Sequence, residues 1–327
     1  MRFGLKVLSF VTGKQLIMPF YHAVSDQAPA HLKHLYVIRS QKQFSKDLEV
    51  LLQLYEPISI ETLINYIRGI GNLPKYSFLL SFDDGLREFD EFAWPILKAG
   101  NLPVALFVNP DFTGNQKVFY RFKTSLLIEH LLSIKTEPDY KKLSCLISFP
   151  VKNKKSLFEF LHRIDYSKKE LLDFFADFFS IDFDSYFKTY QPYLTLSEIQ
   201  SLANQGVSIG GHSMDHPLFN QLSPDEQLRQ LIQSVDWVKK HIGVQTGIFS
   251  FPFTDSGLPK SFFQQLKTNY PGLGATFGTA GIKNELIPFH FQRIPVEQTT
   301  WSMTQTLLFE YLYYLAKVPF FRNTIRR

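Results

Sequence analysis

A short apolar run ends in two adjacent aspartates and a glycine in the segment Ser77-Phe78-Leu79-Leu80-Ser81-Phe82-Asp83-Asp84-Gly85. The run over 77–82 predicts a buried strand. Gly85 predicts a turn, because a residue without Cβ adopts dihedral angles that other residues avoid. Barrel enzymes with parallel strands place their catalytic groups at the carboxyl ends of those strands. We therefore expect Asp83 and Asp84 to lie at a functional edge of such a sheet.

Strands and helices are predicted to alternate around this segment. The pattern of apolar residues predicts a strand at Leu16–Tyr21, helices at Gln43–Leu54 and Ser59–Ile70, a helix that ends near Ala99, and a strand at Val104–Val108. This β-α-β order predicts parallel strands with helices outside them. The length of 327 residues accommodates a barrel of about 250 residues and an insertion. The predicted fold class is α/β, a distorted (β/α) barrel of about seven parallel strands with a mainly helical insertion.

The second half of the chain continues this alternation. Thr195 and Glu198 have the spacing of a capping box and predict a helix that ends near Gly206. Ser223 and Pro224 predict the N-cap and the first residue of another helix. Further strands are predicted at Val207–Ile209, Ile248–Phe251, Gly274–Phe277 and Phe289–Val296.

One segment interrupts the barrel pattern. Residues 115–191 are rich in Lys, Phe, Leu and Asp and have helical periodicity. We predict a single domain over 1–327 with a helical insertion at 115–191. The insertion could be a lid, a substrate platform, a partner surface or a structural cap. Residues 301–327 are predicted to form a C-terminal helix and a basic tail.

A second polar segment, Gly211-His212-Ser213-Met214-Asp215-His216, follows the strand predicted at 207–209. Histidines spaced H-x3-H can face one point from a helical turn or a tight loop. A catalytic divalent metal usually takes three protein ligands and keeps one position open, and a distant carboxylate can complete this set. Because neighbouring side chains of an extended strand point to opposite sides, one of Asp83 and Asp84 could bind metal while the other acts as a base.

These residues resemble two motifs of the polysaccharide deacetylases, the NodB homology domain or carbohydrate esterase family 4. The family motif T/S-F-D-D-G reads Ser81-Phe82-Asp83-Asp84-Gly85 here, and the motif H-S/T-x-x-H reads His212-Ser213-Met214-Asp215-His216. The resemblance implies that Asp83 is the general base. It also implies that Asp84, His212 and His216 bind the metal.

Two weaker matches extend the resemblance from about Leu16 to Val296. The segment Tyr21-His22-Ala23-Val24 fits the Y-H-x-V that ends an early strand in many members. The segment Phe249-Ser250-Phe251-Pro252-Phe253 is similar to the family's F-A-Y-P-Y-G. This second similarity implies that the backbone N–H of Phe253 helps to form an oxyanion hole.

The chain also departs from the family pattern. Many members have an arginine in the third motif that orients the base, and residues 249–253 have none. Arg293 is our hypothesis for the source of that charge. A D-x-x-D-W segment and a late L-x-H, whose histidine acts as general acid, are not clearly present. His290 and His22 are therefore the candidate acids. Thr254 stands where the family usually has glycine.

The leading functional prediction is a metal-dependent hydrolase that removes N-acetyl groups from a sugar of a glycan or glycolipid. An O-acetyl esterase with the same site is an alternative, because an ester depends less on a strong acid than an amide does. A catalytically silent glycan-binding domain is another alternative. Zinc is the default metal, and cobalt, nickel or manganese suit the same mixed ligands. Oligomeric state stays open.

Composition narrows the partners and the location. With 35 basic and 30 acidic residues, the net charge of +5 gives no case for nucleic acid. The single cysteine, Cys145, excludes an intrachain disulfide. The N-terminus shows no signal-peptide pattern, so a cytoplasmic location is expected. The basic, aromatic segment 301–327 could lie on a membrane surface or pack as a terminal helix on the barrel.

Overall fold

The computed structural model describes residues 2–244 and 246–327. Its strands are β1 (Leu16–Ile17), β2 (Pro19–Tyr21), β3 (Glu56–Pro57), β4 (Ser77–Phe78), β5 (Leu80–Phe82), β6 (Val104–Val108), β7 (Ser208–Gly211), β8 (Gly247–Ser250), β9 (Leu273–Gly278), β10 (His290–Gln292) and β11 (Ile294–Pro295). Its α-helices are α1 (Arg2–Thr12), α2 (Gln41–Leu54), α3 (Ile60–Ile67), α4 (Trp94–Ala99), α5 (Tyr120–Ser133), α6 (Tyr140–Ile147), α7 (Lys154–Arg163), α8 (Leu171–Phe179), α9 (Phe183–Tyr190), α10 (Leu196–Asn204), α11 (Pro224–Ile242), α12 (Lys260–Asn269) and α13 (Met303–Lys317).

The main sheet has eight strands in the order β10-β9-β8-β7-β6-β5-β2-β11, and all its pairs are parallel. Its two edge strands belong to one segment of chain, 290–295, which pairs with β9 through its first half and with β2 through its second half. This segment therefore brings the edges of the sheet together. The predicted α/β barrel-like fold is confirmed. The strand predicted at Phe289–Val296 is split into β10 and β11.

Two other predicted strands are also interrupted. Leu16–Tyr21 divides into β1 and β2, and the run 77–82 divides into β4 and β5. The first halves pair in a separate three-stranded sheet, β1-β4-β3, and the second halves join the main sheet. Pro19 has no N–H to donate, so the backbone can change partners there without losing a hydrogen bond from that residue.

Two helices begin at the predicted caps. Thr195 and Glu198 form the capping box of α10, and Ser223 caps α11 with Pro224 in its first turn. Between Gly85 and α4, a π-helical turn at Phe89–Ala93 precedes the helix that ends at Gly100. The helix α1 was not predicted from the sequence.

The chain divides into two compact units. One unit runs up to Asp26 and continues over Val37–Lys117 and Pro192–Arg327. It contains the barrel and both predicted site motifs. The other unit consists of Gln27–Tyr36 and Val118–Gln191 and contains α5 to α9. The predicted helical insertion at 115–191 is helical, and an additional early segment of the chain packs with it.

An aromatic cluster holds β5 in the barrel unit. The ring of Phe82 lies 5.5 Å from that of Tyr21, 5.7 Å from Phe44 and 4.9 Å from Phe89. All four side chains are buried. This packing fixes the end of β5 immediately before the two aspartates.

Candidate active site

The residues of the two predicted motifs follow strands of the same sheet at their carboxyl ends. Asp83 and Asp84 follow β5, and His212 follows β7, two strands away in the sheet. His216 lies four residues after His212. All four side chains are buried. The structure therefore brings the two motifs together at the edge of the sheet where barrel enzymes carry their chemistry.

Three of these residues form a compact set of donor atoms. The ligand atoms of Asp84, His212 and His216 all lie within 4.8 Å of one another. Asp84 Oδ1 is 3.4 Å from His212 Nε2 and 3.2 Å from His216 Nε2. One carboxylate oxygen and two imidazole nitrogens are suitable ligands for zinc or a similar divalent ion. The residues present therefore fit the metal that the family resemblance implies.

A backbone contact orients His212. Its Nδ1 lies 2.8 Å from the carbonyl oxygen of Ser250, so Nδ1 carries the proton and Nε2 presents its lone pair to Asp84. Burial, acting against the attraction of Asp83, lowers the pKa of His212 to about 4. The imidazole is therefore neutral near pH 7, as a metal ligand must be.

Asp83 is held by an arginine from the segment that closes the barrel. Arg293 Nη1 donates to Asp83 Oδ1 and Arg293 Nη2 donates to Asp83 Oδ2, each at 2.7 Å. Ser250 Oγ donates to Asp83 Oδ2 at 3.3 Å. Burial would raise the pKa of Asp83, but the charge and hydrogen bonds of Arg293 outweigh burial and lower the pKa below its usual value. Asp83 is therefore ionised at neutral pH.

Arg293 lies between β10 and β11 and is fully buried. Its guanidinium lies 4.1 Å from the ring centre of Phe20 and 5.4 Å from that of Phe107. Arg293 Nη1 also donates to Ser81 Oγ at 3.0 Å. The contact that we hypothesised between Arg293 and Asp83 is thus present in the structure, and the strand break in 290–295 places it there.

The two aspartates do not follow the alternation of an extended strand. Asp84 has φ +74° and lies outside the strand, whose last residue is Phe82. As a result both carboxylates approach the same imidazole, with Asp83 Oδ2 3.8 Å and Asp84 Oδ1 3.4 Å from His212 Nε2. The prediction that they point to opposite sides was wrong, because it assumed extended backbone at Asp84.

Left-handed backbone recurs at the site. Besides Asp84, the residues Ser213, His216 and Phe253 have φ of +64°, +60° and +57°. Residues with a Cβ adopt this region at an energetic cost, and such residues cluster at functional sites. Gly85 has φ +67°, and a Cβ there would lie 3.0 Å from Val108 Cγ1. The predicted role of Gly85 as a turn residue agrees with both observations.

Polar residues that the sequence analysis did not identify support the second motif. Asn109 follows β6, and its Nδ2 donates to the carbonyl oxygens of His212 and Ser213. Ser213 Oγ accepts from the backbone N–H of His216 at 3.0 Å. Gln230 Oε1 on α11 accepts from the N–H of Met214 at 2.8 Å. Only the position of Asn109 after a predicted strand could have indicated such a role.

His22, the first candidate acid, has a carboxylate partner beside it. Its Nδ1 lies 2.7 Å from Glu297 Oε2, and Glu297 also accepts from the backbone N–H groups of His22 and Ala23. Burial opposes protonation, but the hydrogen bond and charge of Glu297, with the charges of Asp84 and Asp83, outweigh it and raise the pKa of His22 above 6.5. His22 follows β2 and Asp83 follows β5, and these two strands pair in the sheet, so both residues lie at the same edge. Glu297 was not predicted.

His290, the other candidate acid, lies in a different cluster. Its Nδ1 is 2.8 Å from Thr276 Oγ1, and its Nε2 is 3.0 Å from Asp255 Oδ2. Both ring nitrogens therefore have partners among residues outside the two motifs. The ligand atoms of Asp255, Glu285 and His290 form a second buried group.

Phe253 lies beside the second motif. Its ring is 4.7 Å from the ring of His216 in an edge-on arrangement, and 40% of the residue is exposed. Its carbonyl oxygen accepts from Thr279 Oγ1 at 2.9 Å. The loop that contains Phe253 and Thr254 thus combines left-handed backbone with a fixed position next to a metal-ligand candidate.

The fold is a parallel barrel, and its donor set is of a kind that can hold one divalent ion. A carboxylate, two imidazoles and a further ionised carboxylate meet at the carboxyl ends of the strands. Comparison with known proteins finds a family match over part of the chain. The polysaccharide deacetylase family model matches residues 172–267, which include His212, His216 and Phe253.

Solved structures of deacetylases share the fold. The deacetylase PplD of Streptococcus pyogenes, in complex with acetate, is 16% identical with a TM-score of 0.55, over 89% of this chain and 97% of that chain. IcaB from Ammonifex degensii is 16% identical with a TM-score of 0.56, over 91% and 97%. A de-N-acetylase from Aggregatibacter actinomycetemcomitans is 14% identical with a TM-score of 0.52, over 89% and 99%. No curated relative matches the chain.

These findings confirm the predicted resemblance. Residues 172–267 match the polysaccharide deacetylase family, and the fold of the chain is similar to that of solved deacetylases. The family match does not reach Asp83 and Asp84, so for the first motif the evidence is its sequence and its position beside the second motif.

Proposed function

We propose that the protein is a metal-dependent N-deacetylase acting on an N-acetylated sugar of a glycan or glycolipid. The observation that carries this proposal is the ionised, arginine-held Asp83 immediately beside the donor set of Asp84, His212 and His216. A base and a metal site this close together are what hydrolysis of an unreactive amide requires.

Asp84, His212 and His216 would hold the metal. A bound divalent ion supplies a Lewis acid for the acetamide carbonyl and lowers the pKa of water in its coordination sphere. Zinc is the default, and cobalt, nickel or manganese suit the same nitrogen and oxygen ligands. The Ser250 carbonyl supports this role, because it fixes the tautomer of His212 that leaves Nε2 available.

Asp83 would act as the general base. Its carboxylate is ionised at neutral pH, so it can accept the proton of an attacking water. Arg293 and Ser250 hold both of its oxygens, which limits its rotation. Fixing the base before the substrate binds removes an entropic cost from the reaction.

His22 would act as the general acid for the departing amine. Its hydrogen bond to Glu297 favours the protonated imidazole, and 17% of its side chain is exposed, so a substrate could reach it. His290 has Thr276 and Asp255 on its two ring nitrogens, which disfavours it for this role. Amide cleavage needs an acid more than ester cleavage does, so the contact between His22 and Glu297 favours N-deacetylation over the O-acetyl esterase.

Phe253 would contribute at the substrate side of the site. Its backbone N–H is the oxyanion donor that the family resemblance implies. Its exposed ring, next to His216, is suited to packing against the apolar face of a sugar. A carbohydrate substrate agrees with the polysaccharide deacetylase match. The cytoplasmic location stays a prediction.

The test is acetate release by the full chain. The protein is stripped with a chelator, reloaded with zinc or cobalt, and given N-acetylated and O-acetylated sugars, beside Asp83→Asn. We expect metal-dependent release from N-acetylated sugars that Asp83→Asn lowers by about 10³-fold or more. Asp236→Asn is the matched control, since that carboxylate lies on the surface of α11.

Three other outcomes would count against parts of the proposal. Release from O-acetylated sugars alone would support the esterase. Release that is equal in Asp83→Asn and the wild type would remove Asp83 as the base. Stoichiometric metal and glycan binding without release would support the silent glycan-binding domain.

A further inference from the structure

The outer sides of two neighbouring helices are apolar where water would favour polar residues. On α1, the side chains of Val7, Phe10 and Val11 are exposed at helical spacing, and Phe10 and Val11 are 65% and 62% exposed. On the opposite side, Leu5 is buried in the core. A helix that covers a core needs only one apolar side. The second side of α1 therefore calls for another explanation.

The helix α13 has the same property. Phe309, Leu312 and Tyr313 are exposed at the spacing i, i+3, i+4, while Leu307 and Tyr311 are buried. The exposure continues after the helix, where Phe320 and Phe321 are 69% and 73% exposed. Scattered apolar residues are normal on a surface, but a contiguous set marks an interaction site.

The two helices are packed against each other. Leu5 of α1 and Leu307 of α13 belong to the same core cluster. The hydroxyl of Tyr311 donates to the carbonyl oxygen of Lys14 at 3.0 Å, and Lys14 Nζ lies 5.4 Å from the ring centre of Tyr314. Each helix therefore turns an apolar outer side away from the core that the two helices share. We call these two sides, with the turn that follows α13, the docking face, which consists of Val7, Phe10, Val11, Phe309, Leu312, Tyr313, Val318, Phe320 and Phe321.

The charges around the docking face are mostly positive. The sequence has no acidic residue before Asp26, and from 298 to 327 it has only Glu310. Glu310 accepts from the backbone N–H of Ile282, and it is not fully exposed. Lys75 Nζ lies 5.9 Å from the ring centre of Phe10, and Lys317 Nζ lies 3.7 Å from that of Tyr313. Basic groups thus border the apolar side chains on both helices.

Exposed apolar side chains bordered by basic groups favour one kind of partner. A second copy of the chain would present the same positive charges to the face, and like charges across an interface oppose association. An anionic bilayer accepts aromatic and aliphatic side chains at its interface and attracts lysine and arginine at the same time. We propose that the docking face binds the surface of an anionic membrane.

The docking face is suited to peripheral contact. In the part of the chain that the structure describes, no helix is long and apolar enough to cross a membrane. A face of this kind lies in the plane of the interface instead. Docking does not depend on the proposed chemistry.

The test is flotation of the full chain with vesicles of phosphatidylcholine, with and without phosphatidylglycerol. We expect binding only when phosphatidylglycerol is present, and we expect it to weaken as salt increases. Phe10→Ser with Val11→Ser, and separately Phe320→Ser with Phe321→Ser, should each weaken binding by about tenfold or more. These residues are exposed, so the variants should fold. Leu132→Ser, at an exposed residue of the helical unit, is the matched control.

Several results would overturn the proposal. These are equal binding to neutral vesicles, no binding to anionic vesicles, or variants that bind as well as the control. A dimer in solution that the same variants dissociate would show that a second copy occupies the face. Acetate release from water-soluble sugars is measured without vesicles, so the failure of docking and the failure of the proposed function are distinguishable.

Discussion

Two buried clusters in the barrel unit contain the same residue types but are arranged for different tasks. The motif cluster is Asp84, His212 and His216, and the tail cluster is Asp255, Glu285 and His290. Each offers carboxylate oxygens and imidazole nitrogens within reach of one ion, and each has an arginine close by. The position of that arginine separates them.

In the tail cluster the arginine occupies the centre. Arg327 donates to Asp255 and to Glu285, the latter at 2.6 Å. Gln292 Nε2 donates to the same two carboxylates at 2.9 and 3.2 Å. A guanidinium between two carboxylates already supplies the positive charge that a metal would bring. We infer that this cluster is structural.

In the motif cluster the arginine stands to one side. Arg293 binds both oxygens of Asp83 and not the three donor atoms of the motif cluster. The backbone differs too. Asp84 and His216 have the left-handed backbone conformation, whereas His290 lies in a regular strand. Conformational strain and a displaced cation together are typical of a site kept for a ligand. The groups that the guanidinium contacts, more than the residue types present, therefore distinguish a metal site from a salt-bridge cluster.

The largest expected effect comes from removing a donor of the motif cluster. His216→Ala should abolish stoichiometric binding of zinc or cobalt and lower acetate release by about 10³-fold or more, because two donors hold a catalytic ion poorly. Metal content after dialysis and acetate release measure both effects. His290→Ala, the matched change in the tail cluster, should keep one metal per chain. If it loses metal instead, the assignment of the two clusters is reversed.

Removing Arg293 should affect stability as strongly as any single change in the barrel. Arg293→Met leaves the Asp83 carboxylate buried without its main partner, which should cost about 3–5 kcal/mol of the free energy of unfolding. Urea denaturation measures this loss. Adding Asp83→Asn to Arg293→Met should recover part of it, because the orphaned charge is removed. No recovery in the double variant would mean that packing of the Arg293 side chain, not the ion pair, explains the loss.

The motif cluster could be predicted from the sequence because its signals are local. Asp84 follows a recognisable strand, and His212 and His216 share one short loop. Parallel strands then bring their carboxyl ends together without further information. Arg293 was proposed only because residues 249–253 lack the arginine that the family motif usually has. Its contact with Asp83 depends on a break between β10 and β11 that no sequence pattern indicated.

What escaped prediction depends on long-range contacts. Glu297 meets His22 across almost the whole chain, and Arg327 meets Asp255 from the far end of the sequence. No periodicity or spacing records such pairs. The orientation of Asp83 relative to Asp84 was predicted wrongly, since the turn at Gly85 begins one residue before the glycine. The roles of the metal ligands, the base and the acid stay predictions.

A smaller effect is expected for the arginine of the tail cluster. Arg327→Ala should cost about 2–3 kcal/mol of the free energy of unfolding, because two buried carboxylates lose a shared partner. Metal binding should not change. Arg326→Ala is the matched control, since Arg326 is exposed. Equal losses in the two variants would show that the tail, rather than the cluster, accounts for the stability.

The tail cluster should also make stability depend on pH. Burial would raise the pKa of Asp255, but hydrogen bonds and charge from His290 and Arg327 outweigh burial and hold its pKa far below the usual range. A carboxyl with a depressed pKa in the folded state stabilises the protein above its unfolded pKa, about 3.9, and this stabilisation is lost as pH falls below that value. Urea denaturation between about pH 3 and 7 should therefore show a shallower acid decline for Arg327→Ala than for the wild type.

The smallest expected effect separates a side chain from its own backbone. Ser250 serves the motif cluster twice, since its hydroxyl contacts Asp83 and Arg293 and its carbonyl orients His212. Ser250→Ala removes only the hydroxyl, so metal content should stay the same while acetate release falls by about tenfold, as expected when one of several groups that hold a base is lost.

The corresponding residue of the tail cluster is Thr276, whose hydroxyl contacts His290. Thr276→Val should cost about 1 kcal/mol of the free energy of unfolding and leave acetate release within about twofold of the wild type. Metal content, the free energy of unfolding and acetate release are measured for both Ser250→Ala and Thr276→Val, so that the contribution of each cluster can be distinguished. A fall in release with Thr276→Val that matches the fall with Ser250→Ala would show that the tail cluster takes part in the reaction. The position of the arginine would then not distinguish the two clusters, because a cluster whose carboxylates are already paired with Arg327 would still contribute to catalysis.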